Sequence, residues 1–274
     1  MDKRNNWIQC IIAIIATVFV SVLSGFMTDL IPQGTMSDTA YGTLTYLLIG
    51  VINLIAMLII LACCNRTDIL KNIPSGSFIK GVTVAIVLFG YSVITFIINI
   101  ISCIRMHSDA VMSPLFVALY IIALFIGAGI GEELIFRGVF MSFIRGAVGY
   151  RSRKGLIIGM SVSSIAFGLM HLTNLLVTDD VLGTIGQVIY AIGIGFYLAA
   201  VYARTGNLWF NIVLHFLVDI ASLVKEIFTS SEVSVTEILG GGQISVIILS
   251  VLIGVVFFAM GMFIIRKKKM TDLA

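Results

Sequence analysis

Charged residues are scarce in this chain. Asp, Glu, Lys and Arg make up 11% of its 274 residues, whereas 59% of the residues are hydrophobic. A soluble domain carries roughly a quarter of its residues as charged side chains to cover its surface. The composition therefore excludes an ordinary soluble globular protein and indicates an integral membrane protein.

Other missing features narrow the class further. The four cysteines, Cys10, Cys63, Cys64 and Cys103, form no CxxC pair, so neither a disulfide framework nor a zinc knuckle is indicated. The sequence contains no HExxH zinc motif. It also contains no internal repeat, which is the usual sequence signature of an inverted-repeat transporter. No segment suggests a soluble domain, and no nucleic-acid partner is expected.

What the sequence has instead is a series of long apolar runs, each near the length of about 20 residues that a spanning helix needs. The runs cover residues 7–30, 41–64, 80–104, 114–140, 155–173, 181–203, 207–228 and 244–265. They are continuously apolar, whereas the strands of a membrane barrel alternate. We therefore predict an all-α polytopic protein, a single transmembrane domain over residues 1–274 with about eight helices. The first run is too long for a signal peptide, and we expect it to be retained as an anchor.

The basic residues predict the orientation of the chain. They concentrate on alternate sides of the apolar runs, at Lys3, Arg4, Arg66, Lys71, Lys80, Arg145, Arg151, Arg153, Lys154, Arg204, Arg266 and Lys267 to Lys269. Segments rich in Lys and Arg stay in the cytoplasm. We therefore expect a multi-pass protein with both termini cytoplasmic, in the cell membrane of a bacterium.

Ionisable residues inside the apolar runs are the strongest functional signal. Glu132, Glu133, His171 and His215 lie within runs that otherwise suit lipid. Each such charge costs at least ~2.5 kcal/mol on the gentlest insertion scale, so residues of this kind usually serve a function. They define a motif-bearing catalytic core over residues 114–220. Residues 1–105 and 244–274 are interpreted as scaffold spans and a basic C-terminal tail.

The fourth run contains two adjacent acids and a base. Glu133 and Arg137 are four residues apart with the acid first, which is the favourable order for an ion pair on one helical face. Glu132 points about 100° away around the helix and must face a polar cavity or another helix. A structural ion pair beside a protonated carboxyl would also explain this motif.

The later runs add two imidazoles. His171 follows Phe167 by four residues, and taken alone it is more often a packed core histidine than a ligand. His215 and Asp219 share a helical face, and Asn211 extends the same polar stripe by one turn. A carboxylate, two imidazoles and an acid partner are together the groups needed to activate a water and stabilise an oxyanion.

The three motifs, Glu-Glu-x-x-x-Arg, Phe-x-x-x-His and His-x-x-x-Asp, resemble those of the CAAX-protease and bacteriocin-processing (Abi) family of intramembrane endopeptidases, which includes the CAAX prenyl endopeptidases of the Ras-converting type. The resemblance implies a membrane-embedded peptidase acting on a membrane-associated protein or peptide. It makes Glu132 the general base that activates water with His171. It assigns oxyanion stabilisation to His215 and position 219, and a supporting role to Glu133 and Arg137.

The resemblance leaves the role of position 219 and the need for a metal open. The prenyl-processing branch typically has Asn at position 219, whereas Asp219 donates a hydrogen bond only when protonated. Asp219 is expected instead to orient His215 or to ligate a metal. The family is traditionally described as metalloproteases. Glu132, His171, His215 and Asp219 could hold Zn²⁺ or work without it, and we expect a metal-free reaction.

Two other functions fit the same residues. A proton-coupled transporter would use Glu132, His171 and His215 as a relay, and a non-catalytic membrane scaffold or immunity protein would act by binding. A further expectation concerns residues 140–154. If every span were a straight helix, the three motifs would lie at different depths in the bilayer. This segment is therefore expected to be cytoplasmic or interfacial. Its basic residues would then lie near anionic lipid heads, and they are Arg145, Arg151, Arg153 and Lys154.

Overall fold

A computed structural model describes residues 3–32, 34, 36–105, 112–150, 152–176, 178–228 and 243–266. Within these ranges the chain is helical and has no strand. Eight helical stretches there are long and apolar enough to cross a membrane. The structure thus confirms the predicted all-α, eight-span membrane protein. Arg151, the linker residues 229–242 and the tail residues Lys267 to Lys269 lie outside the described residues.

The α-helices are numbered in chain order as α1 (Lys3–Phe26), α2 (Asp38–Cys63), the short α3 (Asp68–Lys71), α4 (Ser77–Arg105), α5 (Pro114–Leu124), α6 (Ser142–Gly149), α7 (Arg153–Met170), α8 (Val181–Thr205), α9 (Leu208–Leu223) and α10 (Gln243–Ile264). Two π-helical segments, Phe125–Glu132 and Leu134–Met141, join α5 to α6. A short 3₁₀ segment, His171–Leu176, follows α7. The fourth predicted run is therefore a single helical stretch of mixed winding.

Polar caps set where the site-bearing helices begin. The side chains of Ser113, Ser152, Asp180 and Asn207 each accept a hydrogen bond from a backbone N–H three residues later. Such caps satisfy N–H groups that have no partner within the helix. Between α8 and α9 the chain reverses at Gly206, whose φ of 63° favours glycine. This tight reversal places α9 directly after the most buried span.

Helix α8 lies at the centre of the bundle. It is the most buried of the described spans, and it packs against α7 on one side and α10 on another. Helix α9 packs against α4 and the first π-helical segment, while α2 covers that segment from its other side. The two earlier spans α2 and α4 therefore support the helices that carry the three motifs.

Small residues allow the closest helix contacts. A Cβ added at Gly50 of α2 would lie 2.8 Å from Cα of Gly127, and one at Gly193 of α8 would lie 2.2 Å from the carbonyl oxygen of Gly254 in α10. Both neighbours are backbone atoms and cannot rotate away. Glycine at these positions is therefore required by the close approach of the helices.

The structure corrects one part of the expectation for residues 140–154, the contact of Arg145 with lipid heads. Helix α6 continues the fourth span, and most of its side chains are buried against α1 and α7. Arg145 is 8% exposed, and its Nε donates to the carbonyl oxygen of Tyr150 at 2.8 Å. The prediction that Arg145 contacts lipid heads was therefore wrong, because its guanidinium is used inside the protein. Arg153 likewise donates to the Ile265 carbonyl, while Lys154 is exposed.

Candidate active site

The predicted ion pair in the fourth span is present and fully buried. Arg137 NH1 lies 2.9 Å from Glu133 Oε1, and both side chains are 0% exposed. Arg137 NH2 also donates to the carbonyl oxygen of Gly195 in α8 at 3.0 Å. The pair thus joins the second π-helical segment to the central helix, while Arg137 Nε is buried without a hydrogen-bond partner among the described residues.

Asn211 extends this buried network into α9. Its Nδ2 donates to Glu133 Oε2 at 3.2 Å and to the Leu198 carbonyl at 2.9 Å. The side chain is 0% exposed. The polar stripe predicted for α9 therefore faces the fourth span, and Asn211 serves as a partner of Glu133.

The imidazole of His215 lies among three carboxylates. Its Nδ1 is 2.9 Å from Glu133 Oε1, while its Nε2 is 3.6 Å from Asp219 Oδ2 and 3.8 Å from Glu132 Oε2. The ring is 3% exposed. The shortest contact of the ring is thus made by Glu133, and the last two distances are longer than hydrogen bonds.

This arrangement changes the interpretation of Asp219. The sequence favoured Asp219 as the group that orients His215, whereas the structure gives the close contact on Nδ1 to Glu133. Asp219 and Glu132 lie together on the opposite, Nε2 side of the ring. Asp219 Oδ2 is buried and has no hydrogen-bond partner among the described residues. The sequence favoured Asp219 because it shares a helix with His215, whereas Glu133 comes within reach of His215 only after the helices pack.

Accessibility separates the two adjacent glutamates. The Glu132 side chain is 16% exposed and that of Asp219 is 21% exposed, whereas Glu133 is 0% exposed. Glu132 and Asp219 therefore mark the side of the site from which a small molecule can approach. This agrees with the helical geometry, which directs Glu132 away from the ion pair.

His171 contacts an aromatic ring that also contacts His215. It ends α7, and its ring is edge-on to Phe167 with 5.3 Å between centroids. The same Phe167 ring lies 5.4 Å from the ring of His215 and 5.2 Å from the guanidinium carbon of Arg137. Phe167 thus contacts both imidazoles and packs on the buried cation. It was not predicted as a site residue, although its position four residues before His171 placed it on the same helical face.

A second residue that the sequence analysis missed contacts His171 directly. Gln187 of α8 has its Nε2 3.4 Å from His171 Nδ1, and its Oε1 accepts from Asn174 Nδ2 at 2.8 Å. The signal that could have found Gln187 was present, since it is a polar amide within an apolar span. The sequence did not show which other residue it would meet.

The geometry gives no complete metal site. Among the described residues, no group of three or more His, Cys, Asp and Glu side chains is placed to hold a metal ion. Glu132, His215 and Asp219 offer suitable donor atoms, with His215 Nε2 3.6 Å from Asp219 Oδ2 and 3.8 Å from Glu132 Oε2. Metal dependence stays a prediction.

The comparisons with known proteins agree with the motifs. Residues 114–221 match the family model described as type II CAAX prenyl endopeptidase, Rce1-like, and this range includes every residue of the site described above. No curated protein and no solved structure matches the chain significantly. The match confirms the resemblance to the CAAX-protease family over that segment.

Proposed function

We propose that this protein is a membrane-embedded CAAX-type endopeptidase that hydrolyses peptide bonds of membrane-associated proteins or peptides. The observation that supports this most directly is the grouping of Glu132 and Asp219 on the accessible side of His215, whose other ring nitrogen contacts the buried Glu133. A carboxylate base beside an oriented imidazole is an arrangement that can activate water. The family match supports peptide hydrolysis as the reaction.

In the proposed reaction, Glu132 takes a proton from a water molecule as the water oxygen attacks the scissile carbonyl carbon. His171 helps to hold that water. The tetrahedral oxyanion is stabilised by His215 through Nε2 when that nitrogen carries a proton, with Asp219 beside it. The intermediate then collapses, the C–N bond breaks, and the leaving amine receives the proton that Glu132 removed. Glu133 and Arg137 act as supporting residues that hold the ring and the helix.

The substrate in this proposal reaches the site from the membrane. The site lies within helices that span the bilayer, so a substrate carrying a lipid anchor or an apolar segment is concentrated where the site is. Processing of prenylated proteins and cleavage of a bacteriocin-type peptide in immunity both fit this chemistry. We further propose that the protein resides in a bacterial cell membrane with both termini in the cytoplasm, as its basic loops predict.

Cleavage by the purified protein tests this proposal. Internally quenched peptides with and without a farnesyl group are offered to the wild type in detergent micelles, with and without a chelator. We expect the peptides to be cleaved at the same rate with and without the chelator. A family metalloprotease would lose activity on chelation and regain it with Zn²⁺.

The alternative functions give different results in the same preparation. A proton-coupled transporter would leave every peptide intact and would move protons in reconstituted vesicles. A non-catalytic scaffold or immunity protein would do neither. Intact peptides in micelles and in vesicles of bacterial lipid would therefore overturn the proposed peptidase.

A further inference from the structure

The amide of Gln187 makes two contacts that together fix its orientation. Its Oε1 accepts a hydrogen bond from Asn174 Nδ2 at 2.8 Å, which turns its amide nitrogen toward His171 Nδ1, 3.4 Å away. Asn174 lies in the 3₁₀ segment that follows His171, and Gln187 lies on α8. The three residues therefore form one short chain of polar groups between α8 and the end of α7.

The direction of these hydrogen bonds determines which nitrogen of His171 carries the proton. An amide nitrogen is a hydrogen-bond donor only, so the Nδ1 that faces it must be the acceptor. A neutral imidazole carries a single N–H, which then resides on Nε2. In His215 the proton is expected on Nδ1, because the carboxylate of Glu133 lies 2.9 Å from this nitrogen and accepts only. Donation to the oxyanion through Nε2 of His215, as proposed above, therefore requires the doubly protonated imidazolium.

We infer that Gln187 is a positioning residue that holds His171 in its Nε2–H tautomer, so that His171 takes part in peptide hydrolysis as a hydrogen-bond donor. This inference rests on the proposed function for its catalytic part. Glu132 then takes the proton of the water by itself. His171 donates its Nε2–H to the water oxygen or to the carbonyl oxygen, and it does not compete with Glu132 for that proton.

The tautomer can be measured without any assay of activity. The protein contains three histidines, and replacing His107, which lies outside the described residues, leaves His171 and His215. We expect ¹⁵N spectra of the histidine-labelled protein, at a pH where His171 is neutral, to show an unprotonated Nδ1 and a protonated Nε2 for this residue. An Nδ1–H tautomer in the wild type would mean that the amides of Gln187 and Asn174 are turned the other way, and it would overturn the inference.

Two substitutions at Gln187 test the consequence for catalysis. Gln187→Glu replaces the donor with an acceptor and should move the proton of His171 to Nδ1. We expect kcat to fall by about 10²-fold with little change in KM, since loss of a correctly placed acid or base group costs ~10² to 10⁴ in rate. Gln187→Met keeps the volume without directing the proton, and should give a mixture of tautomers and a smaller fall in kcat.

The control is Thr173→Val in the same 3₁₀ segment, whose exposed hydroxyl donates to the Met170 carbonyl. It should change neither the spectrum nor kcat. If Gln187→Glu moves the proton and kcat stays unchanged, the catalytic part of the inference is wrong. If the wild type cleaves no peptide but shows the expected tautomer, the proposed peptidase fails and the assignment of the tautomer stands.

Discussion

Removing the buried cation of the fourth span should destabilise the protein strongly. In Arg137→Met the apolar side chain fills a similar volume, but Glu133 is left without its 2.9 Å partner at a position that is 0% exposed. The hydrogen bond to the Gly195 carbonyl is lost as well. We expect the main effect of this substitution to be a lower free energy of unfolding rather than a change in catalysis.

The size of the effect follows from the partners that remain. Breaking a buried charge pair by removing one member costs about 3–5 kcal/mol, because an uncompensated charge stays buried. Asn211 and His215 still contact Glu133 in the variant, at 3.2 and 2.9 Å. We therefore expect a loss near the lower end, about 3 kcal/mol of unfolding free energy.

Reversible unfolding in mixed micelles, followed by circular dichroism, measures this loss. Arg66→Met provides a control, because Arg66 is 24% exposed and lies 3.9 Å from Asp68, whose side chain is 72% exposed. Its ion pair contributes at most about 1 kcal/mol, and its contact with the Phe143 ring at 5.1 Å adds about 0.5–1 kcal/mol. The double variant Glu133→Gln with Arg137→Met removes the stranded charge and should regain more than half of the stability. A single Arg137→Met variant as stable as the wild type would refute the reasoning.

Further predictions concern position 219 and helix packing. Asp219→Asn should retain much of the cleavage rate without added zinc, because an amide beside His215 Nε2 can donate to the oxyanion. A variant that is inactive until excess Zn²⁺ restores it would instead make Asp219 a metal ligand. Gly193→Ala should lower the unfolding free energy by about 1–3 kcal/mol, because the added methyl meets the backbone of Gly254. Gly90→Ala, where no atom lies within 4 Å, should not destabilise the same helix bundle.

The sequence was sufficient for features that depend on local order along the chain. Long apolar runs predicted the eight spans, because a bilayer admits helices of that length and little else. The spacing of four residues predicted the contact of Glu133 with Arg137, which the structure places at 2.9 Å. These features need no knowledge of which helices are neighbours.

The features that were missed depend on packing between distant segments. Glu132 and Glu133 point about 100° apart, and only the position of α9 decides that Glu133 meets Nδ1 of His215. The contact of Gln187 with His171 likewise joins α8 to the end of α7. The burial of Arg145 could not be predicted from its charge, because it depends on α1 and α7, which pack against α6.

The central claim is that Glu132 is the general base. Glu132→Gln keeps the volume and the hydrogen-bonding capacity of the side chain but cannot accept the proton of the water. Its side chain is 16% exposed and lies outside the fully buried ion pair, so folding should be nearly unaffected.

The most direct measurement is the cleavage rate of purified Glu132→Gln against the wild type, with the unfolding free energy of both recorded in the same micelles. We expect a fall in rate of about 10²- to 10⁴-fold with unchanged stability. Cleavage at the wild-type rate by a folded Glu132→Gln variant would contradict this expectation.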